Sequence, residues 1–300
     1  MVTVAWRKEY IQPLPEGHRF PMLKYELIPE QLLREGIISE SKIFYPEPVA
    51  SEDILAVHAR EYVVKLEKLL LSRAEERRIG FPQNEKLIFR EKCIARGSIQ
   101  NALNALIYGC SLNVAGGTHH AYADRGEGFC LLNDIAISAS YLLRHNLAQR
   151  ILIVDLDVHQ GNGTAAIFYN DPCVYTFSMH GANNYPLHKE KSSRDIPLPD
   201  GITDKPYLKL LERNLHEIAD VFEPDFIFFQ SGVDVLSTDT LGRLGLSHQG
   251  CRLRDRLIFE FCKRNNIPVA VSMGGGYSRR LADIVDAHIN TFREACATFD

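Results

Sequence analysis

The chain has 300 residues, a formal net charge of −4 and 45% hydrophobic residues. This composition is ordinary for a globular enzyme, and the charge gives no reason to expect a nucleic-acid-binding protein. The seven cysteines form no C-x-x-C pair, which argues against a disulfide framework and a structural zinc knot. Without a signal-like N-terminus or an apolar run of about 18 residues, we expect a cytoplasmic protein that does not enter a membrane.

The hydrophobic pattern predicts isolated elements first and a regular alternation of strands and helices from residue 111 onward. The expected strands cover 2–6, 111–115, 151–156, 173–178, 226–230 and 269–272. The expected helices cover 30–35, 52–57, 61–71, 85–108, 135–144, 164–169, 207–222, 249–264 and 278–293. This alternation indicates βαβ units, so we predict one three-layer α/β/α domain over residues 1–300 with a mostly parallel central sheet.

Two segments outside this alternation are also informative. The run RAEERR (73–78) mixes basic and acidic residues, which is typical of a solvated helix face. The segment 181–204 has little apolar periodicity and is long for a plain connection. Loops of that length are often functional, so we predict that it contributes to a site.

Polar residues and glycines follow five of the predicted strands at their carboxyl ends. The sequences are GGTHH (116–120), DLDVH (155–159), MH (179–180), SGVD (231–234) and MGGGY (273–277). Each motif alone is more often a turn or a helix cap than a functional site. In open parallel sheets, however, ligands bind beyond the carboxyl ends of the strands, so their joint placement predicts one site.

The DLDVH motif sets the chemistry of that site. Asp155, Asp157 and His159 alternate along an extended chain, which places their side chains on one face. Burying two carboxylates is costly unless a cation compensates them. Asp157, His159 and Asp234 would supply two carboxylates and one imidazole, the pattern of a catalytic zinc site that keeps one position open for water. Iron or cobalt would also suit these ligands.

A metal-dependent hydrolase also needs a proton acceptor, a proton donor and a group that stabilises an oxyanion. His119 and His120 can supply the first two, and Tyr277 can supply the third through its hydroxyl group. The chain has neither a G-x-S-x-G elbow nor a G-x-x-x-x-G-K-[ST] loop, so serine hydrolases and P-loop enzymes are disfavoured.

Taken together, the motifs resemble the zinc-dependent histone deacetylases and the related bacterial acetoin-utilisation and acetylpolyamine amidohydrolase proteins, which share the arginase/deacetylase fold. The resemblance runs from about residue 18 to the C-terminal helix. It rests on GGTHHA (116–121), GEGFCLLND (126–134), DLDVHQGNGT (155–164), SGVD (231–234) and GGGY (274–277). The details HQGNGT, DRGEGFC and DTLGRLGLS are most similar to the class IV branch and its short bacterial relatives.

The resemblance implies a role for each candidate residue, with Asp155 orienting the first histidine. The implied zinc ligands are Asp157, His159 and Asp234. The implied catalytic residues are His119, His120, Asp155 and Tyr277. The implied walls of an acyl-lysine tunnel are Gly128, Phe129 and Tyr185. A structural potassium or sodium ion would lie near Asp155, Asp157, His159, Ser178 and Met179, and a second would use the carbonyls of Phe168 and Val174.

Two positions distinguish branches of this fold. Many members carry an aspartate where this chain has Asn162, and a neutral amide should make His120 easier to deprotonate. Arginase shares the fold, and its two-metal site uses an Asp-x-Asp where this chain has Gly232-Val233-Asp234. One catalytic metal is therefore expected here.

The leading hypothesis is the hydrolysis of N6-acyl-lysine in proteins or peptides, with an acetyl or longer acyl group. The alternative enzyme is a small-molecule amidohydrolase that acts on an acylated amine such as an acetylpolyamine. A non-catalytic acyl-lysine binder is a third possibility, which the complete set of metal ligands, histidines and tyrosine disfavours. The sequence leaves the acyl-chain preference and the oligomeric state open.

Overall fold

The computed structural model describes all 300 residues, and one eight-stranded sheet runs through its centre. The strands are β1 (Thr3–Ala5), β2 (Ile43–Phe44), β3 (Cys110–Asn113), β4 (Ile151–Asp155), β5 (Val174–Gly181), β6 (Arg194–Leu198), β7 (Phe226–Gln230) and β8 (Val269–Ser272). Their order is β2-β1-β3-β8-β7-β4-β5-β6, and every neighbouring pair is parallel. The predicted α/β fold is confirmed, with a sheet that is wholly parallel.

Ten α-helices connect and cover these strands. They are α1 (Lys24–Arg34), α2 (Ser51–Leu55), α3 (Arg60–Glu67), α4 (Arg73–Ile79), α5 (Glu85–Tyr108), α6 (Asp134–Arg144), α7 (Asn162–Ile167), α8 (Asp204–Phe222), α9 (His248–Asn265) and α10 (Leu281–Phe299). None of them combines the length and the apolar composition that a bilayer-spanning helix requires.

The central strands are buried on both faces because successive side chains point to opposite sides of the sheet. In β4, Ile151 and Ile153 pack in the smaller hydrophobic core with alanines of α5 and α6. Leu152 and Val154 pack on the other face, in the larger core that also holds apolar residues of α8, α9 and α10. Two cores separated by one sheet give the predicted three-layer architecture.

The first third of the chain departs most from the sequence prediction. Helix α1 begins at Lys24, six residues before the predicted start, and continues through Pro29. Proline has no backbone N–H, so the carbonyl four residues earlier loses its helical partner. That carbonyl belongs to Tyr25, and it accepts a hydrogen bond from the indole of Trp6 at 2.8 Å. A contact that is distant in sequence therefore keeps the helix intact across a residue that predicts a break.

The segment 181–204 contains a strand that periodicity did not predict. Strand β6 (Arg194–Leu198) lies at the edge of the sheet, and only Leu198 is fully buried. Edge strands have one unpaired side, so they lack the continuous apolar run of a central strand and tolerate a proline such as Pro197. The remainder of the segment stays irregular and reaches the candidate site.

Candidate active site

Five neighbouring strands, β3, β8, β7, β4 and β5, carry the predicted site motifs at their carboxyl ends. Asp155 is the last residue of β4, and Asp157 and His159 follow in the turn that leads to α7. Asp234 follows β7, and Tyr277 follows β8. Because these strands are adjacent and parallel, their ends meet at one edge of the sheet, and the structure brings the motifs together there.

Asp157, His159 and Asp234 form the core of the site. Each offers one ligand atom, these atoms lie within 4.8 Å of one another, and all three residues are buried. Nδ1 of His159 lies 3.1 Å from Oδ1 of Asp157 and 3.1 Å from Oδ2 of Asp234. Two carboxylates therefore face the same imidazole nitrogen.

Backbone N–H groups fix the two carboxylates. Val158 donates to Oδ1 of Asp234 at 2.9 Å, and Gly275 donates to Oδ2 of Asp157 at 2.7 Å. A side chain at Gly275 would overlap the carboxylates of both aspartates, so this position requires glycine. The glycine run that the sequence places after β8 thus lets the backbone approach the acidic pair closely.

The electrostatics of the cluster favour a positive charge. Burial lowers the pKa of His159, but hydrogen bonds to Asp157 and Asp234 more than offset this and raise the pKa to about 10. Burial, together with repulsion from Asp157, raises the pKa of Asp234 to about 7. The two carboxylates thus hold a proton tightly on Nδ1 of His159. A divalent cation at the same place would satisfy both carboxylates in place of that proton.

His119 and His120 lie beside this cluster with their rings in contact. Their Nε2 atoms are 3.2 Å apart. Nδ1 of His119 lies 2.7 Å from Oδ2 of Asp155, and Nδ1 of His120 lies 2.6 Å from Oδ1 of Asn162. The Nδ1 atom of each ring is therefore hydrogen-bonded to a neighbouring side chain, and the two Nε2 atoms face each other at the site.

The surroundings shift the pKa values of the two histidines in opposite directions. Burial lowers the pKa of His119, but the carboxylate of Asp155 outweighs it, and the net pKa is raised. Burial and repulsion from His119 and His159 hold the pKa of His120 well below its usual value. The surroundings therefore favour a proton on His119 and disfavour one on His120.

Glu127, which was not among the predicted site residues, contacts Asn162, and Asn162 in turn contacts His120. Oε1 of Glu127 accepts hydrogen bonds from Nδ2 of Asn162 and from the Tyr185 hydroxyl, both at 2.6 Å. The bond from Nδ2 fixes the orientation of the amide, so that Oδ1 of Asn162 faces Nδ1 of His120. Glu127 thus links a catalytic candidate to a tunnel wall. It lies within the motif GEGFC, but nothing in that motif indicates the contact.

Aromatic side chains form a channel that leads to the cluster. The ring of Tyr277 lies 6.0 Å from that of Phe129 and 6.5 Å from that of His159, and the ring of Tyr185 lies 5.0 Å from that of His120. Gly128 has a φ of 57°, and a Cβ there would lie 2.7 Å from His120. The predicted wall residues Gly128, Phe129 and Tyr185 all reach the channel, with Tyr277 beside them.

Residues that the sequence did not single out form the inner end of the channel. Phe20 packs at 5.2 Å from Phe129, and Tyr25 and Arg90 line the small cavity next to the cluster. The buried Nζ of Lys24 donates to the carbonyl of Gly274 at 3.0 Å. Burial lowers the pKa of Lys24 to about 8. These residues lie in irregular structure or early helices, where the sequence contains no motif.

The monovalent-cation sites stay predictions. Ser178 pairs in register with Asp155, as a site between β4 and β5 requires. The two carboxylate oxygens of Asp155 accept hydrogen bonds from the backbone N–H of Asp157 and from His119. Of the other residues assigned to these sites, Val174 and Met179 lie in β5, and Phe168 directly follows α7.

Comparison with known proteins places this geometry in a family. The family model described as "Histone deacetylase domain" matches residues 18–292. An uncharacterized protein of Picosynechococcus is 41% identical over 292 residues, which is 97% of this chain and 97% of that protein. Histone deacetylase 2 of Arabidopsis thaliana is 29% identical over 89% of this chain and 72% of its own length.

Solved structures share the fold. The crystal structure of an HDAC homolog from Aquifex aeolicus has a TM-score of 0.85 and 24% sequence identity, and covers 99% of this chain and 84% of that chain. An HDAC homolog complexed with SAHA matches with the same TM-score. The family match over residues 18–292 covers most of the chain. The chain therefore belongs to the histone deacetylase family.

Proposed function

We propose that the chain is a zinc-dependent hydrolase that removes the acyl group from N6-acyl-lysine in proteins or peptides. The observation that carries this proposal is the buried cluster of Asp157, His159 and Asp234 beside the histidine pair, at the inner end of an aromatic channel. Membership of the histone deacetylase family supports deacetylation as the reaction.

The cluster fits a zinc ion by the chemistry of its donors. One imidazole nitrogen and two carboxylate oxygens lie close enough to share an ion. Three such ligands with a free position are typical of catalytic zinc. When bound, zinc supplies a Lewis acid and lowers the pKa of a water molecule toward about 7. Iron(II) or cobalt(II) would find the same ligands acceptable.

The histidine pair is proposed to move protons during hydrolysis. Its Nε2 atoms face the site, while Asp155 and Asn162 hold the opposite nitrogen of each ring. His120, on which a proton is disfavoured, can take a proton from the attacking water, and His119, on which a proton is favoured, can give one to the departing lysine nitrogen. Asp155 acts by orienting His119 and favouring its charged form.

Tyr277 is proposed to stabilise the negative charge that develops on the carbonyl oxygen. Burial and the two cluster carboxylates raise the pKa of Tyr277 well above its usual value. Its hydroxyl therefore stays protonated and can donate a hydrogen bond to the oxygen as its charge grows. Phe129 and Tyr185 would hold the aliphatic part of the lysine side chain in an orientation that suits this contact.

The inner cavity favours a short acyl group. Its volume next to the cluster is about 40 Å³. A single water needs about 10–15 Å³ of such space, so the cavity is small compared with a long acyl chain. An acetyl group has three non-hydrogen atoms, so we expect acetyl-lysine to be a better substrate than octanoyl-lysine.

A turnover panel on one metal-quantified preparation tests the proposal. The substrates are acetyl-lysine and octanoyl-lysine peptides and an acetylpolyamine. We expect hydrolysis of the acetyl-lysine peptide, loss of activity with a chelator, recovery with zinc, and inhibition by a hydroxamate. Turnover confined to the acetylpolyamine would instead favour the small-molecule amidohydrolase. A zinc-loaded protein that hydrolyses none of these substrates would contradict both.

A further inference from the structure

Four exposed arginines surround the outer end of the channel. These mouth arginines, Arg19, Arg77, Arg78 and Arg243, line one cavity of about 370 Å³. The cavity continues inward to the catalytic candidates, and its lining contains no aspartate or glutamate. The whole chain carries a net charge of −4, so this concentration of positive charge is a local feature.

The charge of the mouth arginines is poorly compensated within the protein. Arg19, Arg77 and Arg78 have no carboxylate within 4.0 Å, and the guanidinium of Arg19 lies 5.9 Å from the ring centroid of Phe129. Only Arg243 has a partner, Asp200 at 3.4 Å, and both side chains are exposed. Exposed pairs of this kind contribute little. The mouth therefore presents a positive field to an approaching ligand.

Two acidic groups close to the channel residues, Glu127 and Asp239, are engaged by other groups of the protein. Glu127 accepts hydrogen bonds from Asn162 and Tyr185. Asp239 accepts backbone N–H groups of Leu241 and Gly242, both at 2.8 Å. Neither carboxylate lies within 4.0 Å of a mouth arginine, so neither forms an ion pair with the rim.

Helix geometry explains only half of the cluster. Arg77 and Arg78 lie in the last turn of α4, where the helix dipole favours cations. Arg19 and Arg243 come from two unrelated segments and converge on the same mouth without such a reason. What the four share is the cavity, and this points to recognition of the ligand.

We propose that the substrate presents its acyl-lysine within an acidic segment, whose aspartate or glutamate side chains pair with the mouth arginines. This inference rests on the proposed function, because it assumes that an acyl-lysine enters the channel. Guanidinium groups bind carboxylates through paired hydrogen bonds, and an extended peptide advances about 3.3 Å per residue. Carboxylates within two or three residues of the acyl-lysine therefore reach the rim. A cationic acetylpolyamine would be repelled by the same charges.

The test compares two acetyl-lysine peptides of equal length, one flanked by glutamates and one by lysines. A neutral acetyl-lysine amide serves as a reference substrate. We expect kcat/KM for the acidic peptide to exceed that for the basic peptide roughly tenfold at 50 mM salt, since several modest ion pairs add. The ratio should fall toward two at 0.5 M salt, because the screening length shortens from about 10 Å at 0.1 M to about 3 Å at 1 M.

A paired substitution tests whether the preference for the acidic peptide comes from the mouth arginines or from the overall charge of the protein. The Arg77→Gln/Arg78→Gln variant should lower the acidic-to-basic ratio about threefold, while turnover of the neutral amide stays the same. The matched control is Lys263→Gln/Arg264→Gln, which removes two adjacent cations from the last turn of α9. Helix α9 ends just before β8 begins, at the edge of the sheet opposite to the site. The control should leave the ratio unchanged.

Binding of the two peptides, measured by fluorescence anisotropy, distinguishes failure of this inference from failure of the proposed function. Equal or tighter binding of the lysine-flanked peptide would overturn the inference whatever the turnover. Selective, salt-sensitive binding of the acidic peptide that the paired substitution weakens would support it even without hydrolysis. In that case the proposed reaction would be wrong, and the inference that the channel mouth binds an acidic segment would be retained.

Discussion

The floor and the mouth of the channel are built in opposite ways. The floor residues Asp157, His159 and Asp234 are buried at adjacent strand ends and are fixed by backbone N–H groups. The mouth arginines are exposed and come from loops and a helix end. The floor is acidic and suits a cation, whereas the mouth is basic and suits an anion. The sheet thus positions the floor residues, and unrelated surface segments determine which ligands approach them.

Removal of one floor carboxylate should have the largest effect. Asp157→Ala or Asp234→Ala leaves two cluster ligands, so we expect loss of bound zinc and of activity together. Metal analysis and acetyl-lysine turnover on the same samples measure both. Asp220→Ala, which removes an exposed carboxylate from α8, should change neither. Zinc retained at full stoichiometry in both floor variants would rule out the ligand assignment.

Substitution of Tyr277 should have the next largest effect. Its ring lines the channel, and its hydroxyl is proposed to donate a hydrogen bond beside the floor residues. Tyr277→Phe keeps the ring and removes the donor. We expect kcat to fall by roughly 10²–10³, as for other oxyanion donors, with the zinc content unchanged. An unchanged kcat would remove Tyr277 from the mechanism.

The difference between the floor and the mouth also explains how much of the site could be predicted from the sequence. The floor residues follow β-branched or aromatic strands, and a parallel sheet brings strand ends together, so residue type and position in the chain were enough to group Asp157 with Asp234. Arg78 was read within a solvated helix face, and it is exposed on α4. That it faces the channel depends on packing between α4 and the Gly128–Phe129 turn, which donates to the carbonyls of Arg78 and Ile79.

Other features escaped prediction for a similar reason. The contact between Trp6 and Tyr25 preserves α1 across Pro29, and no local pattern encodes it. Glu127 stands in a recognised motif, yet its bond to Asn162 joins residues 35 positions apart. Periodicity finds elements and the ends of strands. Side-chain networks between loops appear only once the chain is folded.

Glu127 links Asn162, which contacts the histidine pair, to Tyr185 in the channel wall, so its substitution should have an intermediate effect. Glu127→Gln keeps the shape but removes the charge behind Asn162 and His120. We expect turnover to fall about tenfold, in the range of general acid–base effects at their low end. The negative charge favours protonated His120, so its loss should also lower the pKa of that ring and shift the acid limb of the kcat/KM profile to lower pH.

The matched control for Glu127 is Glu190→Gln. Glu190 accepts a hydrogen bond from the Tyr122 hydroxyl, which in turn accepts one from Asn162, so Glu190 reaches that amide only through a second residue. It should leave the pH profile of kcat/KM in place. If Glu127→Gln lowered turnover without moving the profile, its role would be limited to holding Tyr185 in position.

His58 is buried but belongs to neither the floor nor the mouth. Its substitution should therefore change the stability of the protein and leave its activity unchanged. Its Nε2 accepts the backbone N–H of Asn133 at 3.0 Å, and no carboxylate compensates it. Burial lowers the pKa of His58 to about 4. A folded-state pKa below the unfolded value of about 6.5 means that the unfolded chain binds the proton more readily, so stability is lost as the pH falls from about 6.5 toward 4. That difference of about 2.5 pKa units corresponds to a loss of up to about 3 kcal/mol.

His58→Gln keeps an acceptor and does not titrate. Its free energy of unfolding, measured by denaturant titrations between pH 4 and 7, should therefore decline less steeply with falling pH than that of the wild type. Turnover at pH 7 should be the same for both, and parallel stability curves would mean that His58 is not buried in its neutral form.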